Sequence, residues 1–209
     1  MKIFPTLIVI ILLVGCAAPT ISEPPQPEPE RKYLLENNSR YMLIEDALYY
    51  IPRLKGGYDN RVAMEGVDKA SFVALDIGED YAKDKKNVYR EGKVLEKADP
   101  KSFEAFSRSD YARDQNRVFY DGKPITDSDG KTFTILTYDN EEELILSSYG
   151  KDSRAVYFEG EKISVADPGT FIALESPSPF ARDKFNAYFR GKVITGSHGD
   201  SFEVLDSRE

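Results

Sequence analysis

Residues 111–122 read YARDQNRVFYDG, and close copies stand at 81–92 (YAKDKKNVYREG), 149–160 (YGKDSRAVYFEG) and 180–191 (FARDKFNAYFRG). Aligned on Asp84, Asp114, Asp152 and Asp183, a glycine follows eight residues later: Gly92, Gly122, Gly160 and Gly191. A phenylalanine follows eleven residues after that: Phe103, Phe133, Phe171 and Phe202. The copies start about 30 residues apart, except where residues 137–148, with Asn140-Glu141-Glu142-Glu143, lengthen one of them. A fifth, degraded copy opens the domain, with Tyr49-Tyr50, an irregular insertion at 52–65 and Ser71-Phe72-Val73-Ala74-Leu75. Fixed spacing of this kind marks a repeat architecture, in which each unit hides against its neighbours what it cannot hide alone.

The units read as β-structure. Val118-Phe119-Tyr120 is β-branched and aromatic, which suits a strand. Asp121-Gly122 is a two-residue hairpin signal, because both turn positions need positive φ. Pairing across it sets Tyr120 against Lys123 and Val118 against Ile125, and likewise Val88 against Leu95, Val156 against Ile163 and Ala187 against Ile194. One hairpin face is then aliphatic and the other carries Tyr89, Phe119, Tyr157 and Tyr188. Pro124 lacks a ladder donor and marks an edge strand. A turn follows at Ala98-Asp99-Pro100 or Ala166-Asp167-Pro168, then a second strand from each repeat phenylalanine, such as Phe133-Thr134-Ile135-Leu136. That strand is apolar on both faces and needs cover on both. The expected fold is all-β: tandem hairpin or meander units of about 30 residues, stacked as a small propeller-like ring or an open array.

The pattern Tyr-x-x-Asp-Lys-x-x-Val-Tyr-x-x-Gly-Lys, followed by Ala-Asp-Pro-x-Ser/Thr-Phe, resembles the DKNYY repeat family of bacterial lipoproteins. Residues 81–103 are the closest copy; the resemblance covers 81–205, with 41–76 as a weaker extension. Tyr89-Arg90 lacks the second aromatic, and Ser197-His198-Gly199-Asp200 replaces Ala-Asp-Pro-x. The resemblance implies a repeat fold and an envelope address, and no particular activity.

The start of the chain agrees with that address. Lys2 precedes an apolar run at 3–14 of signal-peptide length, too short to span a bilayer as a mature helix. Leu13-Val14-Gly15-Cys16 resembles a lipobox, with cleavage between Gly15 and Cys16 and acylation (palmitate among the chains) of Cys16, the only cysteine. The alternative is a plain secretory signal followed by an incidental cysteine. Several acyl chains on one residue give firm anchoring, where one alone is marginal. Without disulfides, stability must come from packing. Residues 16–31 hold the lipidated cysteine and a tether with five of the twelve prolines. A segment so rich in proline and acid cannot fold by burial and reaches roughly 40 Å at about 3.1 Å per residue. The domain assignment is therefore 1–15 signal peptide, 16–31 tether and 32–209 repeat domain. The formal charge of −8 repels phosphate backbones, so no nucleic-acid partner is expected.

Catalytic chemistry has little to work with. One histidine, His198, stands in a Gly-Ser-His-Gly-Asp loop, and the one cysteine is assigned to lipid. That leaves no Cys/His nucleophile, no Ser/His/Asp triad and no multi-histidine metal site. No phosphate-binding glycine loop occurs, and no cofactor is expected. Asp84, Asp114, Asp152 and Asp183, near Asn87, Asn116 and Asn186, suggest calcium loops, but Lys85-Lys86, Arg117, Arg154 and Lys184 interrupt them. Asx turns capping their own backbone are the preferred reading. Tyr120, Phe158 and Phe189 beside the turns could stack on sugars or pack against lysine stems, the second being favoured.

The expectation is a lipid-anchored cell-envelope protein, not an enzyme, whose repeats bind or scaffold a protein or glycan partner. Ala17 after Cys16, by resemblance to Gram-negative sorting, favours the outer membrane, on its periplasmic or outer surface. The alternative is an envelope glycan hydrolase using paired carboxylates. A third reading, a partner for a basic protein, rests on the acidic charge alone. Oligomeric state is left open.

Overall fold

A computed structural model describes residues 31–33, 40–52, 60–75, 80–138, 145–174 and 179–205. The expected signal peptide, Cys16 and the tether up to residue 30 lie outside them. The described chain forms five four-stranded antiparallel sheets, each a meander in chain order. The first holds β1 (Arg31–Tyr33), β2 (Tyr41–Ile44), β3 (Ala47–Tyr50) and β4 (Val62–Ala63); the second holds β5 (Val73–Ala74), β6 (Tyr81–Lys83), β7 (Val88–Arg90) and β8 (Lys93–Val94). The third has β9 (Glu104–Ala105), β10 (Tyr111–Arg113), β11 (Val118–Tyr120) and β12 (Lys123–Pro124). The fourth has β13 (Thr134–Tyr138), β14 (Ile145–Lys151), β15 (Val156–Phe158) and β16 (Glu161–Lys162). The fifth has β17 (Ile172–Ala173), β18 (Phe180–Arg182), β19 (Ala187–Phe189) and β20 (Lys192–Val193).

The hairpin register is the expected one. Tyr120 pairs with Lys123 and Phe119 with Pro124, and the Ile125 amide donates to the Val118 carbonyl at 2.8 Å. Both turn residues are left-handed, Asp121 at φ 48° and Gly122 at φ 72°, as a type I′ turn demands. Proline-bearing β12 is an edge strand of its sheet. The sequence repeat and the sheet are out of phase. The short strand after each repeat phenylalanine belongs to the following sheet: β9, after Phe103, pairs with β10. The Tyr/Phe-x-Lys/Arg segment before each repeat aspartate is itself a strand, giving four strands where sequence suggested a hairpin and one more. The lengthened copy extends β13 and β14 into a longer hairpin with a register shift between Ile135 and Thr137.

Each inner sheet is buried on both faces. In the third, Ala112 and Phe119 pair across the ladder and pack toward the second sheet, while Tyr111 and Val118 pack toward the fourth. Four apolar clusters join consecutive sheets, and among the described residues none joins the first to the fifth. At each joint a phenylalanine lies between two rings. Phe133 sits 5.2 Å from Tyr111 and 6.3 Å from Tyr157; Phe171 sits 5.4 Å from Tyr149 and 5.2 Å from Tyr188. Small residues opposite the second ring leave room: Ala82, Ala112, Gly150 and Ala181. A Cβ on Gly150 would lie 2.5 Å from the Phe133 ring.

The last copy departs from the rule. Phe202 was expected to open a strand like its counterparts, but a 3-10 turn at Gly199–Ser201 precedes it and residues 202–205 form none. Phe103, Phe133 and Phe171 are buried, whereas Phe202 is half-buried beside Phe180 at 5.8 Å. No described sheet follows to supply the second ring.

Candidate functional site

The repeat aspartates are buried, between 1 and 4 % exposed. In the second sheet, Oδ1 of Asp84 accepts the amides of Lys86 and Asn87, each at 2.7 Å. Oδ2 accepts the Asp68 amide from the preceding connection at 2.9 Å and the Tyr89 hydroxyl at 2.7 Å. Asp152 and Asp183 repeat this set with Tyr157 and Tyr188. Asp114 takes the three amides without a hydroxyl, because Phe119 stands where the others carry tyrosine. Burial pushes the Asp84 and Asp183 carboxyls up, but the tyrosine hydroxyls and the amides outweigh it and hold both below the usual range. Carboxylates engaged in this way face N–H and O–H donors rather than a cation. The Asx-turn reading describes them, and the calcium reading does not.

A second carboxylate completes each joint. Asp99 Oδ2 accepts the Ser102 hydroxyl at 2.6 Å, and that hydroxyl accepts the Gln115 amide at 3.1 Å. Thr132 with Ser153, and Thr170 with Lys184, reproduce the relay on Asp129 and Asp167. The sequence signal was present, since Asp-x-x-Ser/Thr stands upstream of every repeat aspartate. In sequence it reads as a separate turn rather than as half of one knot.

The repeat glycines dock each hairpin on the sheet before it. A Cβ on Gly160 would fall 2.6 Å from Tyr120 Cβ, and one on Gly191 would fall 2.8 Å from Phe158 Cβ. Their amides donate to Tyr111 and Tyr149 hydroxyls, both at 3.0 Å. Tyr120 and Phe158, candidates for sugar stacking, are thus half-buried under the next turn. Only Phe189 of the three is exposed, at 41 %. His198 is exposed in its loop.

The repeated residues are committed to structure, and among the described residues two recesses open at the third and fourth sheets. A recess of about 660 Å³ is lined by Tyr120, Asp121, Lys123, Glu159 and Glu161 and the Pro124–Asp127 wall. A recess of about 400 Å³ shares that wall and is lined also by Lys97, Asn116, Arg117, Ser128 and Arg154. Asp121, Asp127, Glu159 and Glu161, from two copies, are all exposed. In the sequence, Arg117 and Arg154 read only as interruptions of a loop. The departure of the third copy at 117 and 119 was the available sign. Among the described residues, no group of three or more acidic, histidine or cysteine side chains is arranged to hold a metal ion.

No curated protein and no solved structure matches the chain. The family model of the DKNYY family matches residues 25–123 and 111–179, taking in the first four sheets. That match spans more than half of the chain, and the chain belongs to the DKNYY family.

Proposed function

We propose that the chain is a lipid-anchored protein of the bacterial cell envelope, held through Cys16 and a Pro-rich tether, whose stacked sheets bind or scaffold a partner without catalysis. The carrying observation is that the repeated polar residues are used up inside the fold. Asp84, Asp114, Asp152 and Asp183 are buried under amides, leaving side chains between the third and fourth sheets for recognition. The outer membrane, with the domain in the periplasm or at the surface, is the address proposed, and the partner is a protein or glycan of that compartment. Metabolic labelling with an alkyne palmitate analogue tests the anchor. Wild type should label and sediment with membranes, and Cys16→Ala should do neither; labelling that survives the substitution overturns it.

A second reading has one observation in its favour: the larger recess carries acids from two copies, Asp121 and Asp127 with Glu159 and Glu161. A glycan hydrolase needs two carboxyls in differing environments across one scissile bond, and these four are all solvent-exposed. Incubation with peptidoglycan fragments separates the readings. No turnover is expected, and turnover abolished by Glu159→Gln or Asp121→Asn would replace the binding module with the enzyme.

A further inference from the structure

We propose that the smaller recess, walled by Lys97, Arg117 and Arg154, is an oxyanion-binding site for a carboxylate or phosphate group of a ligand. This deepens the binding-module reading and rests on it. The charge pattern comes first. The chain is acidic overall, yet among the described residues no carboxylate forms an ion pair with any of these three cations. Asp129, which feels Arg154, is already occupied by the Thr132 hydroxyl and the Lys131 amide. Asp127 lies on the shared wall and is the one acid lining the recess.

The two arginines are also held in place. Arg117 Nη1 donates to the Lys97 carbonyl at 2.7 Å, and Arg154 Nη2 donates to the Asp127 carbonyl at 3.2 Å. These carbonyls are equivalent points of successive connections, so one arginine reaches each. A guanidinium has five N–H donors in a fixed fork that suits carboxylate or phosphate, and anchoring one of them preorganises the rest. The volume of about 400 Å³ is that of a small-ligand pocket.

Two departures from the repeat meet at the same place. Asn87 and Asn186, at the position of Arg117, donate to the hydroxyls of Tyr89 and Tyr188. In the third sheet that hydroxyl is missing, because Phe119 replaces the tyrosine, and the asparagine is replaced by Arg117, which lines the recess. Pro124 on the shared wall stands where other copies have Val94, Lys162 and Val193. Lys97 and Asp127 keep side chains at φ 65° and 57°, where the last connection has Gly196 at 79°. Two of the array's exceptions, Arg117 and Pro124, thus line this one cationic recess.

The test is calorimetric titration of the full chain with inorganic phosphate and, separately, with citrate, in low-salt buffer. At least one should bind saturably, and which is tighter tells a phosphate from a carboxylate ligand. Arg117→Gln with Arg154→Gln should weaken that binding at least tenfold. Lys184→Gln, on the fifth sheet, should leave it unchanged, and so should Cys16→Ala, which separates this site from the anchor. Circular dichroism melts confirm that each variant is folded. No saturable binding of either anion, or binding equal in the folded double arginine variant, overturns the assignment.

Discussion

Phe171 and Phe202 occupy the same position in successive copies, and only one is a core residue. Phe171 is completely buried between Tyr149 and Tyr188, with the fifth sheet closing over it. Phe202 has Phe180 on one side and no second ring among the described residues. The partner changes with it: Tyr149 accepts the Gly191 amide and donates to the Pro179 carbonyl at 2.8 Å, but the equivalent residue of the last sheet is Phe180, with no hydroxyl. Burial in a stacked array is thus conferred by the next unit, and the last described sheet carries Phe180 where the inner sheets carry a tyrosine hydroxyl.

The contrast can be broken at several points. Phe171→Ala should cost about 3–5 kcal/mol in a urea melt, through lost transfer energy and a cavity at the joint. Phe202→Ala, read in the same melt, should cost under about half of that, because a half-exposed ring gives up less apolar area. Equal losses would mean that the fifth sheet's outer side is covered as fully as the inner joints. Asp183→Ala leaves three amides and the Tyr188 hydroxyl without their acceptor and should cost about 2–4 kcal/mol. Gly191→Ala forces a side chain onto Phe158 at a left-handed φ and should cost about 1–3 kcal/mol, while the same change at Gly196, whose Cβ would meet nothing within 4 Å, should cost only the backbone part. Tyr149→Phe should cost about 1 kcal/mol, and Phe180→Tyr next to nothing.

Stability against pH should show the two polar systems separately. The Asp84 and Asp183 carboxyls sit below their ordinary value of 3.8, so their contribution is complete above it and is lost as pH falls through and beneath it. Burial pushes the Tyr149 hydroxyl from 10.0 up to about 12. The unfolded chain therefore loses that proton first, and stability declines between those two values. A flat unfolding midpoint across either window would contradict the corresponding assignment.

Much of this was legible in the residues. The two-residue turn at Asp121-Gly122, the pairing of Tyr120 with Lys123 and the edge position of Pro124 follow from local backbone chemistry, which a sequence carries explicitly. The strands Tyr81–Lys83 and Tyr111–Arg113 were not recognised, because three residues ending at a basic side chain give too little alternation to count as a strand. The shift between repeat and sheet was invisible for a different reason. Periodicity fixes how far apart copies stand, not where one structural unit ends. The aspartate knot needed both halves side by side, and the recess at Lys97, Arg117 and Arg154 needed three copies in register. Residues distant in the chain meet there only because the sheets stack.

The phase shift between motif and sheet has a consequence for how such a chain can change its length. Because each sheet after the first borrows its first strand from the tail of the preceding copy, the covalent chain is spliced across each boundary like overlapping planks. A duplication or loss of one full period, wherever the genetic breakpoints fall, rejoins a tail to an equivalent head and restores the same seam. Growth of the array therefore requires no new interface, only another turn of an existing one.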